Sequence, residues 1–187
     1  MAKKKTVVMR DAAEQTAARP TAHTDGVPVY CAHDALVDVD QLVENPKNPN
    51  RNPMSQLQAL AKIIRVQGWR APITVSNRSG FIIKGHGRLK EAKILHLGKA
   101  PVDYQNYETE AEEWADMVAD NKIAELAETD NKVLQEVLGG LASQAFDMDL
   151  TGMMTANVAE MLGMTVDGEP DEDEAEKDLG APDDVRP

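Results

Sequence analysis

Cysteine, aromatic residues and long apolar runs are all scarce in this chain of 187 residues. The lone cysteine, Cys31, excludes an internal disulfide and a multi-cysteine zinc site, and leaves a free structural or surface thiol. Two tryptophans, three tyrosines and two phenylalanines leave room for one modest core. No apolar run approaches the roughly 20 residues of a membrane-spanning helix, so no membrane partner is expected. The basic start Met1-Ala2-Lys3-Lys4-Lys5 lacks the apolar stretch of a secretory signal, and a cytoplasmic location is the expectation. His23, His33 and His96 show no metal-ligand spacing.

What the chain does have is charge, unevenly placed. Residues 38–108 hold eleven Lys and Arg against six Asp and Glu, whereas residues 109–187 hold four against twenty-two. The basic middle suits a phosphate-bearing partner such as a nucleotide or nucleic acid. Most of those lysines and arginines also suit solvated helix faces, and that plainer reading stands for them.

Residues 1–28 show no sustained periodicity and read as a flexible arm. Val37–Leu42 alternates as a short strand, and Asn45–Pro53, with three prolines and four asparagines, reads as a loop. Asn52 is expected to cap a helix over Met54–Gln67, with Pro53 at its first position and Gly68 as its stop. Pro72–Ser76 and Phe81–Lys84 read as a hairpin around Asn77–Gly80. A helix to about Leu97 and a strand at Ala100–Tyr104 follow. Thr109 with Glu112 forms a capping box for a helix to about Ala127, Asp130 caps another to about Ser143, and a short helix ends near Leu162. Residues 164–187, rich in Asp, Glu, Pro and Gly, read as a disordered acidic tail.

The segment Ile82-Ile83-Lys84-Gly85-His86-Gly87-Arg88 runs from a strand straight into a helix. Two glycines let backbone N–H groups approach an anion, the helix start adds partial positive charge, and Arg88 adds a forked cation. His86 at the mouth could move a proton near neutral pH. An ordinary tight turn with an incidental His and Arg explains the four residues equally well.

The wider pattern breaks that tie. Asn45-Pro46 with Arg51, Leu60-Ala61, Gly68, Pro72-Ile73-x-Val75, Gly80-x-Ile82-Ile83-x-Gly85-His86-Gly87-Arg88, Leu97-Gly98-x-x-x-Val102 and Ala119–Ala127 stand in the order of a known family. The chain resembles the ParB/sulfiredoxin superfamily over residues 36–163, and within it the ParB N-terminal (ParB-like nuclease) domains of phages and mobile elements with a Gly-His-Gly-Arg motif. In that subgroup a helical segment with Leu-Thr-Gly follows, as Leu150-Thr151-Gly152 stands here.

The resemblance implies an α+β fold, a small mixed sheet flanked by helices, over residues 36–128, with a helical extension over 129–163. It implies a nucleoside triphosphate, CTP or ATP, with Mg²⁺. Gly85, Gly87 and Arg88 would hold phosphate, joined by Arg51 and His86, while Asp120 and Asn121 would hold the metal and phosphates. His86 and Asp120 are the catalytic candidates. Partition proteins carry Gly-Glu-Arg-Arg where Gly85-His86-Gly87-Arg88 stands; His86 replaces the acid and Gly87 the first arginine, so one phosphate-binding cation is missing, which weighs against CTP hydrolysis. Sulfiredoxin chemistry needs a cysteine where His86 stands and is rejected.

The function so implied is a nucleotide-binding module in DNA transactions or regulation, with DNA, a DNA-modifying protein and a second copy of the chain as further partners. The alternatives are a Mg²⁺-dependent nuclease or NTP hydrolase, a small-molecule kinase as a weaker variant, and a non-catalytic interaction protein that uses its acidic tail.

Overall fold

β-Branched residues dominate the strand segments Ile73–Ser76 and Ile82–Lys84. The structure, a computed structural model, describes residues 19–153 and 155–163. Contacts divide the chain into two units, residues 1–129 with 150–152 and residues 130–149 with 153–187.

The first unit opens with a hairpin of β1 (Ala22–Thr24) and β2 (Val27–Val29), with Ala22 opposite Val29. This corrects the flexible arm expected over residues 1–28, of which residues 1–18 lie outside the described residues. The missed signal is Asp25-Gly26, both at positive φ (+48° and +83°), the pairing that two-residue hairpin turns require. Val27 and Val29 are buried, and the Tyr30 N–H donates to the Trp69 carbonyl at 2.9 Å.

The main sheet holds β3 (Ala35–Asp38), β4 (Ile73–Ser76), β5 (Ile82–Lys84) and β6 (Lys99–Gln105) in the order β3-β6-β4-β5. β6 runs antiparallel to β3 and parallel to β4, and β4 runs antiparallel to β5. The strand expected at Val37–Leu42 begins two residues earlier and gives way to a 3-10 turn at Val39–Gln41, which buries Val39. All four residues of β4 are buried, as expected of a central strand.

Helix α1 (Met54–Gln67) buries Leu57, Ala61 and Ile64 at helical spacing. Gly68 ends it at φ +75°, where a Cβ would lie 2.4 Å from the Pro28 carbonyl oxygen, so only glycine lets β2 pass so close. Asn52 does not cap this helix. Pro53 is the N-cap and has no side-chain atom that could accept a bond from the first turn. Helix α2 (His86–Ile94) lies against α1, stops short of the Leu97 expected, and leads into β6. Helix α3 (Glu110–Glu125) packs on β5. Thr109 Oγ1 accepts from the Glu112 N–H at 3.2 Å as the capping signal requires, and Glu112 reaches back to the Glu108 N–H at 2.9 Å. The core joins Val29, Trp69, Ile73, Val75, Ile82, Leu89, Ala92, Ala100 and Val102. Cys31 is a buried free thiol, its pKa raised by burial.

Residues 150–152 belong with this first unit. The Leu150 carbonyl accepts from Gln67 Nε2 at 3.4 Å, and Gly152, at φ +77°, lies beside Ile63 of α1.

In the second unit, α4 (Asn131–Ser143) starts on Asp130, whose Oδ1 accepts from the N–H groups of Lys132 and Val133 at 3.0 and 3.2 Å. The Gly139-Gly140 pair does not break it: a Cβ on Gly139 would meet Leu162 at 4.0 Å. Helix α5 (Thr155–Leu162) accepts a bond at the Met161 carbonyl from Gln135 Nε2 at 2.7 Å. The acidic tail expected over residues 164–187 lies outside the described residues. Among the described residues, no helix is long and apolar enough to cross a membrane.

Candidate functional site

Gly85 decides the site. It sits at φ +90°, ψ +26°, a left-handed conformation that an L side chain adopts only with strain, and it turns β5 directly into α2. As the N-cap it offers no side chain, so no capping oxygen covers the first-turn N–H groups of His86, Gly87 and Arg88. Those N–H groups and the helix dipole open onto a cleft of about 220 Å³. Its wall comes from the loop before α1 (Asn48, Asn50, Asn52), from α1 (Gln56, Leu60), from residues 83–88 and Glu91, and from α3 (Asp120, Asn121).

Two cations line it. Arg88 folds back over Gly85, its Nη1 3.3 Å from where a Cβ would stand and 3.4 Å from the Pro72 carbonyl oxygen. Lys84 at the end of β5 pairs with Asp116 at 3.0 Å and lies 3.9 Å from Asp120. The Lys84 ammonium, with the Tyr107 hydroxyl 2.8 Å from Asp116, holds the Asp116 carboxyl below its usual range against the opposing effect of burial.

The asparagine-proline loop is pinned at both ends. His86 is buried, and its Nε2 accepts from the Asn45 N–H at 3.3 Å, so the ring proton sits on Nδ1. Burial lowers its pKa and keeps it neutral. Lys47 lies over the Trp114 ring at 3.4 Å, which ties the loop to α3. Asn52, expected to cap α1, instead accepts from Lys90 Nζ at 3.2 Å and donates to Gln56 Oε1 at 3.2 Å.

The structure therefore brings Gly85, His86, Gly87, Arg88, Asp120 and Asn121 to one cleft. Arg51 is exposed and is not part of the wall, although its neighbours Asn50 and Asn52 are. His86 is corrected in one respect. It was expected at the mouth, ready to move a proton, but its ring is packed inside with one nitrogen committed to Asn45.

Asn121 Nδ2 donates to the Met117 carbonyl at 3.1 Å, which settles its amide orientation. Among the described residues, no three His, Cys, Asp or Glu side chains gather as a metal cage. Asp120 and Asn121 offer oxygens, which suit a hard cation that brings phosphate and water oxygens with it.

Sequence reasoning missed Lys84, Asn52, Gln56 and Glu91. Lys84 had a signal, because it immediately precedes the glycine. Glu91 had none: a glutamate inside an amphipathic helix normally faces water, yet this one is 0% exposed with neither oxygen bonded.

No family model and no curated protein sequence matches the chain. Among solved structures, it is similar to the C-terminally truncated chromosome-partitioning protein ParB from Caulobacter crescentus complexed with CTP-gamma-S. That similarity has 20% identity and a TM-score of 0.49, over 70% of this chain and 71% of that one. It is also similar to sulfiredoxin from Arabidopsis thaliana, at 17% identity and a TM-score of 0.35, over 39% of this chain and 84% of that one. A Pnob8-like ParB-N domain is a third, at 16% identity and a TM-score of 0.39, over 67% of this chain and 50% of that one.

Proposed function

We propose that the first unit is a nucleotide-binding module whose cleft takes the phosphates of a nucleoside triphosphate at the start of α2. It would act in DNA transactions or regulation, as the phage and mobile-element domains that its sequence resembles are expected to. The observation that carries this reading is the uncapped first turn at Gly85–Arg88, which faces a polar cleft beside the Arg88 guanidinium. The basic balance of residues 38–108 supports a polyanionic partner and leaves DNA as the second one.

In this reading the N–H groups of residues 86–88 and the Arg88 fork bind phosphate oxygens, and Lys84 adds charge at the rim. Asp120 and Asn121 would hold a Mg²⁺ that arrives with the nucleotide, and such an ion would neutralise phosphate charge. Binding is favoured over hydrolysis or nuclease action because His86, the proton carrier expected here, is already bonded to Asn45.

Isothermal titration with CTP, ATP and GTP, with and without Mg²⁺, tests the reading. At least one should bind, and Arg88→Ala should weaken it by roughly 10- to 100-fold, the loss of charge-assisted bonds. Failure of all three to bind overturns it.

A further inference from the structure

Glu91 is an ionisable cleft group to which the proposed function gives no task. It sits one helical turn beyond Gly87 on α2, fully buried, and neither carboxyl oxygen has a hydrogen-bond partner. Its Oε1 lies 3.4 Å from the point where a side chain on Gly87 would begin, and Asn52 Nδ2 lies 3.4 Å from that same point. A carboxyl group and an amide donor therefore converge on the bare flank of Gly87, inside the cleft that receives the first-turn N–H groups.

Burial without a partner disfavours the charged carboxylate, and raises this carboxyl from 4.5 to about 7 despite the lowering pull of Arg88. Arg88 is the charge that acts on it from its own helix. The cleft wall adds Lys84 from β5 and Asp120 from α3, and His86 is the other titratable group of the wall. Asn52, Gln56 and Leu60, on the α1 side, are uncharged. An incoming anion thus meets N–H groups that attract it and a carboxylate that repels it. One proton between carboxyl and anion turns that repulsion into an O–H···O bond.

Resting on the phosphate-binding reading above, we propose that Glu91 sets what the cleft accepts: a phosphate group together with one proton, held between the Glu91 carboxyl and a phosphate oxygen. The proton comes from solvent as the ligand enters. A terminal phosphate, with a second ionisation near pH 6, is matched to share it.

The test is calorimetric titration of the whole chain with tripolyphosphate and with CTP from pH 6 to pH 8.5. Each is run with and without Mg²⁺, in two buffers that differ in ionisation enthalpy. Above pH 7 the wild-type affinity should fall toward tenfold per pH unit, with net proton uptake on binding. Glu91→Gln should still bind, with part of that uptake gone and a flatter profile. The ligand's own titration remains in the variant, so the difference between the two proteins reports Glu91, and the wild-type uptake stands without any variant. Wild-type binding with no proton uptake overturns the inference and leaves the phosphate-binding reading intact. An affinity that rises with pH in Mg²⁺ assigns Glu91 to the cation and overturns it as well. Absence of binding by both probes at every pH overturns the functional reading, and this inference with it.

Discussion

At the residue scale, two positions, one capping α2 and one inside it, do opposite work. Gly85 supplies a backbone that no other residue adopts cheaply, and Glu91 places a carboxyl where none is comfortable. Gly85→Ala should destabilise the protein by about 1–2 kcal/mol, the cost of left-handed backbone for an L residue. The new methyl would also press on Arg88 and on Ile73 Cα, both within 3.4 Å. Urea melts measure this, and an unchanged midpoint would contradict it.

For Glu91 the pH dependence of stability has a definite sign. Its folded carboxyl titrates at about 7 against an ordinary 4.5, so the folded state holds more protons between those values. Its stabilising contribution is therefore full below pH 4.5 and lost as the pH rises through 7. A shift of that size corresponds to about 3 kcal/mol. Glu91→Gln should gain about that much on wild type between pH 4.5 and pH 8, compared by urea melts at both ends. His86 acts in the other direction, losing stability as pH falls below its ordinary value, but it is common to both proteins and cancels in the difference. The place of Gly85 and Arg88 at a strand-to-helix turn was legible in the sequence because it needs only a strand, a turn and a helix. Glu91 was not, because its burial depends on α1 lying against α2.

At the element scale, α3 is fastened to the β4–β5 turn by one carboxylate. Glu113 is 1% exposed, accepts from Ser79 Oγ and pairs with Arg78 at 3.2 Å. Burial alone would raise its carboxyl, but the bonds from Ser79, Ser76 and Arg78 hold it below the usual range. Glu113→Ala should cost about 1.5–3 kcal/mol, the range for bonds to a charged group. Because Asp120 and Asn121 lie two turns along the same helix, it should also weaken nucleotide binding. A stability loss with unchanged affinity would separate the two roles. The helix boundaries of α1, α3 and α4 followed from stop and cap residues, as Gly68, Thr109 and Asp130 show. The Asn52 cap failed because Lys90, from α2, and Gln56, four residues along, take the oxygen and the nitrogen of the same amide.

At the scale of the whole molecule, protection should follow the sheet. β6 is paired on both sides, to β3 and β4, and Ala100, Pro101 and Val102 are buried. The end of α3 is the reverse: Ile123 and Leu126 are 68% and 79% exposed. Native-state amide exchange should be slowest at Val75 and Val102 and fastest, within the first unit's elements, near residues 123–126. Faster exchange in β6 than at the end of α3 would contradict this pairing scheme.

The sequence by itself determined the order of strands and α-helices from β3 onward, the β4–β5 hairpin, the turn at Gly85 and the charge asymmetry, because each depends on neighbours a few residues apart. Only the tertiary structure decided which polar groups meet. It buried His86 against the Asn45 N–H, removed Arg51 from the cleft wall, drew Asn52 to Lys90, and left Glu91 unpartnered beside Gly87. Those outcomes turn on which side chains lose water when α1, α2 and α3 close around the sheet, and desolvation is a property of packing that no local pattern carries.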